Sequence, residues 1–122
     1  MVAVMGSSVR TLTVSVSPNP VTGSGSGQSG ATLSITSATA TATASGGNGT
    51  YTYAWAYISG SSFTINSPSS AATTFTGSVV AGLNATITYT GIYRCTATDG
   101  NGVVGHYDET VSLSATGSGT PP

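Results

Sequence analysis

Apolar and hydroxyl-bearing residues alternate along much of this chain, the period of two that belongs to half-buried β-strands. Leu12, Val14 and Val16 alternate with Thr11, Thr13 and Ser15 and predict a first strand. Ser17-Pro18-Asn19-Pro20 stops it, because proline has no amide to donate and restricts the residue before it. Residues 31–45 alternate threonine with small side chains, mostly alanine, and predict one or two strands. Their inward alanines leave room for a large side chain from an opposing sheet, for which Trp55 is the candidate. Gly46-Gly47-Asn48-Gly49 predicts a turn.

Tyr51, Tyr53, Trp55 and Tyr57 share one parity and hence one face of a strand. Short strands are expected at Phe63 and Ile65, around Phe75, and over residues 86–90, with residues 79–83 bridging the sheets. Residues 92–98 predict a strand with Tyr93, Cys95 and Ala97 on one face, and Asp99-Gly100-Asn101-Gly102 predicts a hairpin turn. The last strand begins at Val103-Val104 and turns Val111 and Leu113 inward. Glu109 has the same parity as Val111, and a β-bulge near Asp108-Glu109 is expected to carry it out to solvent. No helix longer than a turn is expected.

Three segments fall outside this alternation. Residues 1–10 form a lead with no clear period. Residues 22–30, TGSGSGQSG, read as a flexible linker or as a long loop ordered by a neighbour. Residues 115–122, ATGSGTPP, read as a tail. The expected organisation is a docking lead over 1–10, a β-sandwich over 11–114 with a Gly/Ser-rich loop at 22–30, and a C-terminal tail over 115–122.

Composition narrows the partners. The 122 residues make one domain, large enough for a core without metal or disulfide staples. Charged residues are 4% of the chain, against about 25% in ordinary domains. The cations are Arg10 and Arg94, the anions Asp99, Asp108 and Glu109, and there is no lysine. Serine and threonine together supply roughly a third of the residues, far above ordinary usage. Two arginines cannot neutralise a run of phosphates, which argues against nucleic acid as a partner. No basic amphipathic stretch or long apolar run points to a membrane. The N-terminus has no positive n-region and no sustained apolar h-region, which argues against a signal peptide. One cysteine permits no intrachain disulfide. A net charge of −1 gives little mutual repulsion between copies and fits a protein held in an assembly.

The spacing of Trp55 from Tyr93 and Cys95 matches an immunoglobulin-like sandwich, in which strand C buries a tryptophan and strand F places a tyrosine two residues before a cysteine. The expected fold is an all-β, two-sheet antiparallel sandwich with Trp55, Tyr93 and Cys95 as its core signature and Trp55 touching Cys95 across the core. The segments SVSPNPVTGS, ASGGNGTYTYAWAYISG, INSPSSAATTF and GIYRCTATDGNGVVG, in that order, resemble bacteriophage virion proteins with immunoglobulin-like modules. YTYAW and TATDGNG also resemble PKD-type domains. The resemblance spans about residues 12–114 and implies a structural or adhesive role on a virion. It implies phage coat or tail proteins as partners, many copies in the assembly, and no cofactor.

Candidate chemistry is sparse. His106 can be grouped with Asp108 and a serine, but no G-x-S-x-G presents a nucleophile, so a solvent-facing strand residue is the simpler reading. Asp99, Asn101 and Asp108 are too few and scattered for a calcium site, and Asp99 reads as a turn residue. Cys95 reads as a small core hydrophobe. The tyrosines at 51, 53 and 57 read as a core stripe, with a sugar-stacking platform as the rival. Arg10, Arg94 and Tyr57 are the candidate partner contacts, Arg94 as an exposed charge for a partner's carboxylate. No catalytic, cofactor or metal residues are assigned. The expectation is a non-enzymatic accessory protein of a virion that decorates the capsid, docking through residues 1–10 and 22–30. A tail component is the less favoured location. The rivals are a carbohydrate-binding adhesin module and an accessory domain of a hydrolase.

Overall fold

The computed structural model describes residues 11–121. The lead over 1–10, with Arg10 and the docking role expected of it, lies outside the described residues. Among these, ten strands and no helix are found: β1 (Leu12–Ser17), β2 (Val21–Gln28), β3 (Thr32–Thr36), β4 (Ala40–Gly46), β5 (Tyr51–Gly60), β6 (Thr64–Ile65), β7 (Ala72–Thr73), β8 (Phe75–Val80), β9 (Thr86–Asp99) and β10 (Val104–Ser118). They form sheets of order β1-β4-β7, β2-β10-β9-β5 and β3-β8-β6. Every pairing is antiparallel except β2 on β10, which is parallel.

The large sheet turns Trp55, Tyr93, Cys95, Ala97, Val111, Leu113 and Ala115 inward. Val14, Val16, Ala40 and Ala42 close the core from the β1-β4-β7 sheet, and Ile35, Phe75 and Val79 from the β3-β8-β6 sheet. Phe75 joins Trp55 to Tyr93, whose ring also packs against Tyr57 and Phe63. The Phe75 ring centroid lies 5.7 Å from that of Trp55, edge-on at 78°, and 4.9 Å from that of Tyr93. Such offset and edge-to-face pairs match the negative face of one ring to the positive edge of another.

Four expectations are corrected. Residues 22–30 are not a loop: β2 runs through most of them and is laced to β10 from Val21↔Val111 to Gln28↔Ser118. The overlooked signal is the strict alternation GSGSG, which is itself a period of two. The glycines face β3, and at Gly23 the backbones come so close that a side chain is excluded. A Cβ on Gly23 would lie 2.6 Å from the Thr36 carbonyl oxygen and 2.8 Å from Ser37 Cα. Second, residues 115–118 are not tail but the end of β10, pairing β9 on one side and β2 on the other. Gly117 is pressed against the Gly82 carbonyl oxygen and Ser29 Cα.

Third, Trp55 and Cys95 do not meet across the core. They are register partners on adjacent strands of one sheet, and the group opposing Trp55 from another sheet is Phe75. Fourth, no bulge turns Glu109 outward. The β9–β10 register is unbroken from Val104↔Thr98 to Thr116↔Thr86, and Glu109 is fully buried opposite Tyr93. The irregularity in the large sheet falls instead on β5, between Tyr57 and Ser59.

Candidate docking surface

β9 is longer than its neighbour. Its 14 residues are paired along their whole length, or nearly so, with β10, but β5 reaches only from Asp99 back to Gly91. Ser61 N donates to Thr90 O at 2.9 Å just beyond that point. Among the described residues, 86–89 then have a strand on one edge alone. Within this overhang Ile87 and Tyr89 keep the parity of Tyr93 and Cys95, the inward parity of the same strand. They are nonetheless 36% and 37% exposed, while their register partners on β10, Ala115 and Leu113, are fully buried. The covering layer therefore ends between β10 and β9.

The opposite face of the overhang is bare of charge. Thr86 and Thr116 share a hydroxyl hydrogen bond at 2.7 Å, and Thr90 and Ser112 share one at 3.0 Å. An open ladder edge flanked by apolar side chains and hydroxyls is a template for pairing with another chain. Tyr57 and Ile58, 47% and 43% exposed, lie on β5 just before it ends at Gly60 opposite Gly91. The Tyr57 ring packs edge-on to Tyr93 at 5.7 Å, and its hydroxyl donates to Gly60 O at 2.7 Å.

The remaining residues singled out from sequence have internal duties. Arg94 is not an unpaired charge. Its guanidinium grips Asp108 across the β9–β10 ladder through Nε at 2.7 Å and Nη2 at 3.1 Å. The hydrogen bond between them raises the Arg94 pKa and lowers that of Asp108. The pair is exposed, where such contacts contribute little to stability. Its consequence is that the arginine is already occupied. Asp99 is a buried clamp between two turns. Its Oδ1 accepts from Asn101 N and Val103 N, and its Oδ2 accepts from Asn48 N. These backbone contacts give it the turn role. No cluster of acids and histidine with metal-ligand spacing occurs among the described residues.

His106 is exposed on β10 opposite Thr96. Among the described residues no pocket is formed around it or elsewhere. Tyr51 and Tyr53 are half-buried against the core, and the Tyr51 hydroxyl donates to Gly46 O at 2.6 Å, while Tyr57 is exposed. Trp55, 5% exposed, donates its indole N–H to Ser70 O at 2.8 Å. The Tyr93 hydroxyl donates to Ser61 O at 2.8 Å and accepts from Phe63 N, pinning the chain after β5 to the core. Cys95 is unpaired and buried, and burial pushes its thiol up to about 11, which suppresses the reactive thiolate.

The overhang of β9 is the surface that sequence reasoning missed. Its signal was the alternation Ile87, Tyr89, Gly91, Tyr93 without a break, which makes one long strand where two were expected. No helix of the described residues is long and apolar enough to cross a membrane. Comparisons with models of protein families, with curated proteins and with solved structures found no match to this chain.

Proposed function

We propose that this chain is a non-enzymatic structural module that docks edge-on to a neighbouring protein in an assembly of many copies. The observation that carries the reading is the β9 overhang, an open ladder edge with Ile87 and Tyr89 exposed on its inward parity. The near absence of charge supports the same reading, since a surface with so few ions gains little from electrostatic capture. Backbone pairing along the edge supplies direction, and the two apolar side chains supply the anchor. Identical copies on a lattice add avidity without new contacts.

Within this reading the assembly is a bacteriophage particle, the module an immunoglobulin-like one, and the partner a coat subunit on the capsid exterior. The support is the order and spacing of the segments around Trp55 and Tyr93-Arg94-Cys95. The test is co-sedimentation of purified protein with particles assembled without it, at low and high salt. Wild type is expected to pellet with the particles at both salt concentrations. Thr88→Pro, which blocks the open edge, and the pair Ile87→Lys with Tyr89→Lys are expected to stay in the supernatant while remaining folded by circular dichroism. Retention of the folded variants on the particles would place the contact elsewhere.

A further inference from the structure

Among the described residues, Glu109 is the buried ionisable group whose chemistry neither the core nor the docking surface uses. It is fully buried, and neither carboxyl oxygen has a hydrogen-bond partner among the described residues. The Val21 backbone amide favours the charged form, but burial, the larger effect, opposes it. A buried ionised carboxylate without a cation or donors is strongly disfavoured, so the group is held as the neutral acid.

Among the described residues no cation shares the face of Glu109, and the titratable groups of its own parity beside it are Tyr93 and Cys95 on β9 and Tyr107 on β10. Across the ladder Glu109 faces Tyr93, whose own phenol is raised by burial and stays neutral. β1, β2, β3 and β8, the other elements packed on β10, carry no titratable side chain. Arg94, His106 and Asp108 have the opposite parity and sit on the outer face.

The corner between β1 and β2 lies beside Glu109 along β10. Asn19 straps that corner to β10 on both sides of the glutamate. Its Nδ2 donates to the Tyr107 hydroxyl at 2.7 Å, and its Oδ1 accepts from Thr110 N at 3.2 Å. β2 begins immediately afterwards, with Val21 opposite Val111. β2 is an edge strand of the large sheet with three glycines, and Val21 is its one buried side chain.

We propose that Glu109 is a proton-operated latch for β2: protonated, it lets the 18–20 corner and β2 lie on β10, and ionised, it drives them off so that water reaches the carboxylate. Release exposes the parallel edge of β10 and frees a Gly/Ser segment whose only apolar side chain is Val21. The chain then has a second open ladder, at the opposite edge of β10 from β9, available in neutral or alkaline medium and closed in acid.

The test is native-state hydrogen exchange of the full chain at about pH 5 and about pH 8, corrected for intrinsic exchange and run with and without low denaturant. At the higher pH the β2 amides are expected to exchange well before those of Tyr93 and Cys95, with little denaturant dependence, as a local opening does. Between the two pH values their protection is expected to fall roughly 50- to 100-fold, the linkage of a carboxyl held near neutrality when closed and normal when open. Glu109→Gln, which is neutral at both pH values, is expected to abolish that fall. A 13C titration of the Glu109 carboxyl in the wild type gives a second reading that needs no variant, with its inflection expected far above the ordinary glutamate range. An ordinary inflection, exchange of β2 only together with the core, or an equal pH response in Glu109→Gln each overturns the latch.

Discussion

Asp99 and Asn48 lock two turns to each other reciprocally. Asp99 Oδ2 accepts from Asn48 N at 3.0 Å, and Asn48 Oδ1 accepts from Gly100 N at 3.1 Å. The turn after β4 and the hairpin between β9 and β10 are thereby held as one unit, although 51 residues separate the partners. Gly47 completes the lock. At its positive φ of 60° a Cβ would run into the Asp99 carboxylate.

Asp99→Ala strands three backbone N–H donors and is expected to cost about 3 kcal/mol, as losses of hydrogen bonds to a charged group do. Asn48→Ala removes two weaker contacts and is expected to cost about 1 kcal/mol. Urea unfolding measures both. A cost for Asp99→Ala below that of Asn48→Ala would mean that the carboxylate is not the centre of the lock.

Trp55→Ala is expected to destabilise by roughly 3–5 kcal/mol, because it removes a buried ring and opens a cavity against Phe75. Cys95→Ala removes one sulfur from the next strand and is expected to cost far less. A reducing agent is expected to leave the thermal midpoint unchanged, since Cys95 is unpaired. Native Cys95 is also expected to resist alkylation at about pH 8, with its thiol pushed up to about 11. Rapid labelling of the folded protein would contradict the burial.

Glu109 makes stability fall with rising pH. Burial raises its carboxyl from 4.5 to about 7, so the folded chain holds a proton that the unfolded chain releases. The stabilisation is complete below about 4.5, declines through the interval to about 7, and is flat above it. Between pH 5 and pH 8 the loss is expected to be about 2–3 kcal/mol. Glu109→Gln is expected to flatten that slope. Urea midpoints across the interval provide the measurement, and a wild-type midpoint that rises with pH would have the wrong sign for a buried neutral acid.

Gly23→Ala is expected to destabilise by more than the gain of about 0.4–1 kcal/mol that the same change gives at an unstrained site, since its Cβ would lie on the Thr36 and Ser37 backbone. Ser24→Ala, on the outward face of the same strand, is expected to be close to neutral. Equal effects at the two positions would show that β2 does not lie flat on β3.

Much of the fold is local chemistry and could be read along the chain. The alternation of Leu12, Val14 and Val16, the Thr/Ala run ending in Gly46, the aromatic parity through Trp55 and the hairpin at Asp99 each set a strand or a turn with residues a few positions apart. Side-chain parity and turn conformation depend on neighbours in sequence, so these elements were legible. What the tertiary structure decided is everything that depends on which strand ends where against another. GSGSG becomes a strand because β10 offers it a parallel ladder, and the backbone at Thr36 and Ser37 leaves no room for a Cβ at Gly23. The 86–89 edge is open because β5 stops at Gly60, and Ile87 and Tyr89 are exposed because the covering layer ends between β10 and β9; neither boundary is contained in a local pattern. Glu109 is buried because an unbroken β9–β10 register gives it no bulge to escape through. Parity alone pointed that side chain inward. The cost of a buried carboxyl argued for an exit, and long-range register overrode that local preference.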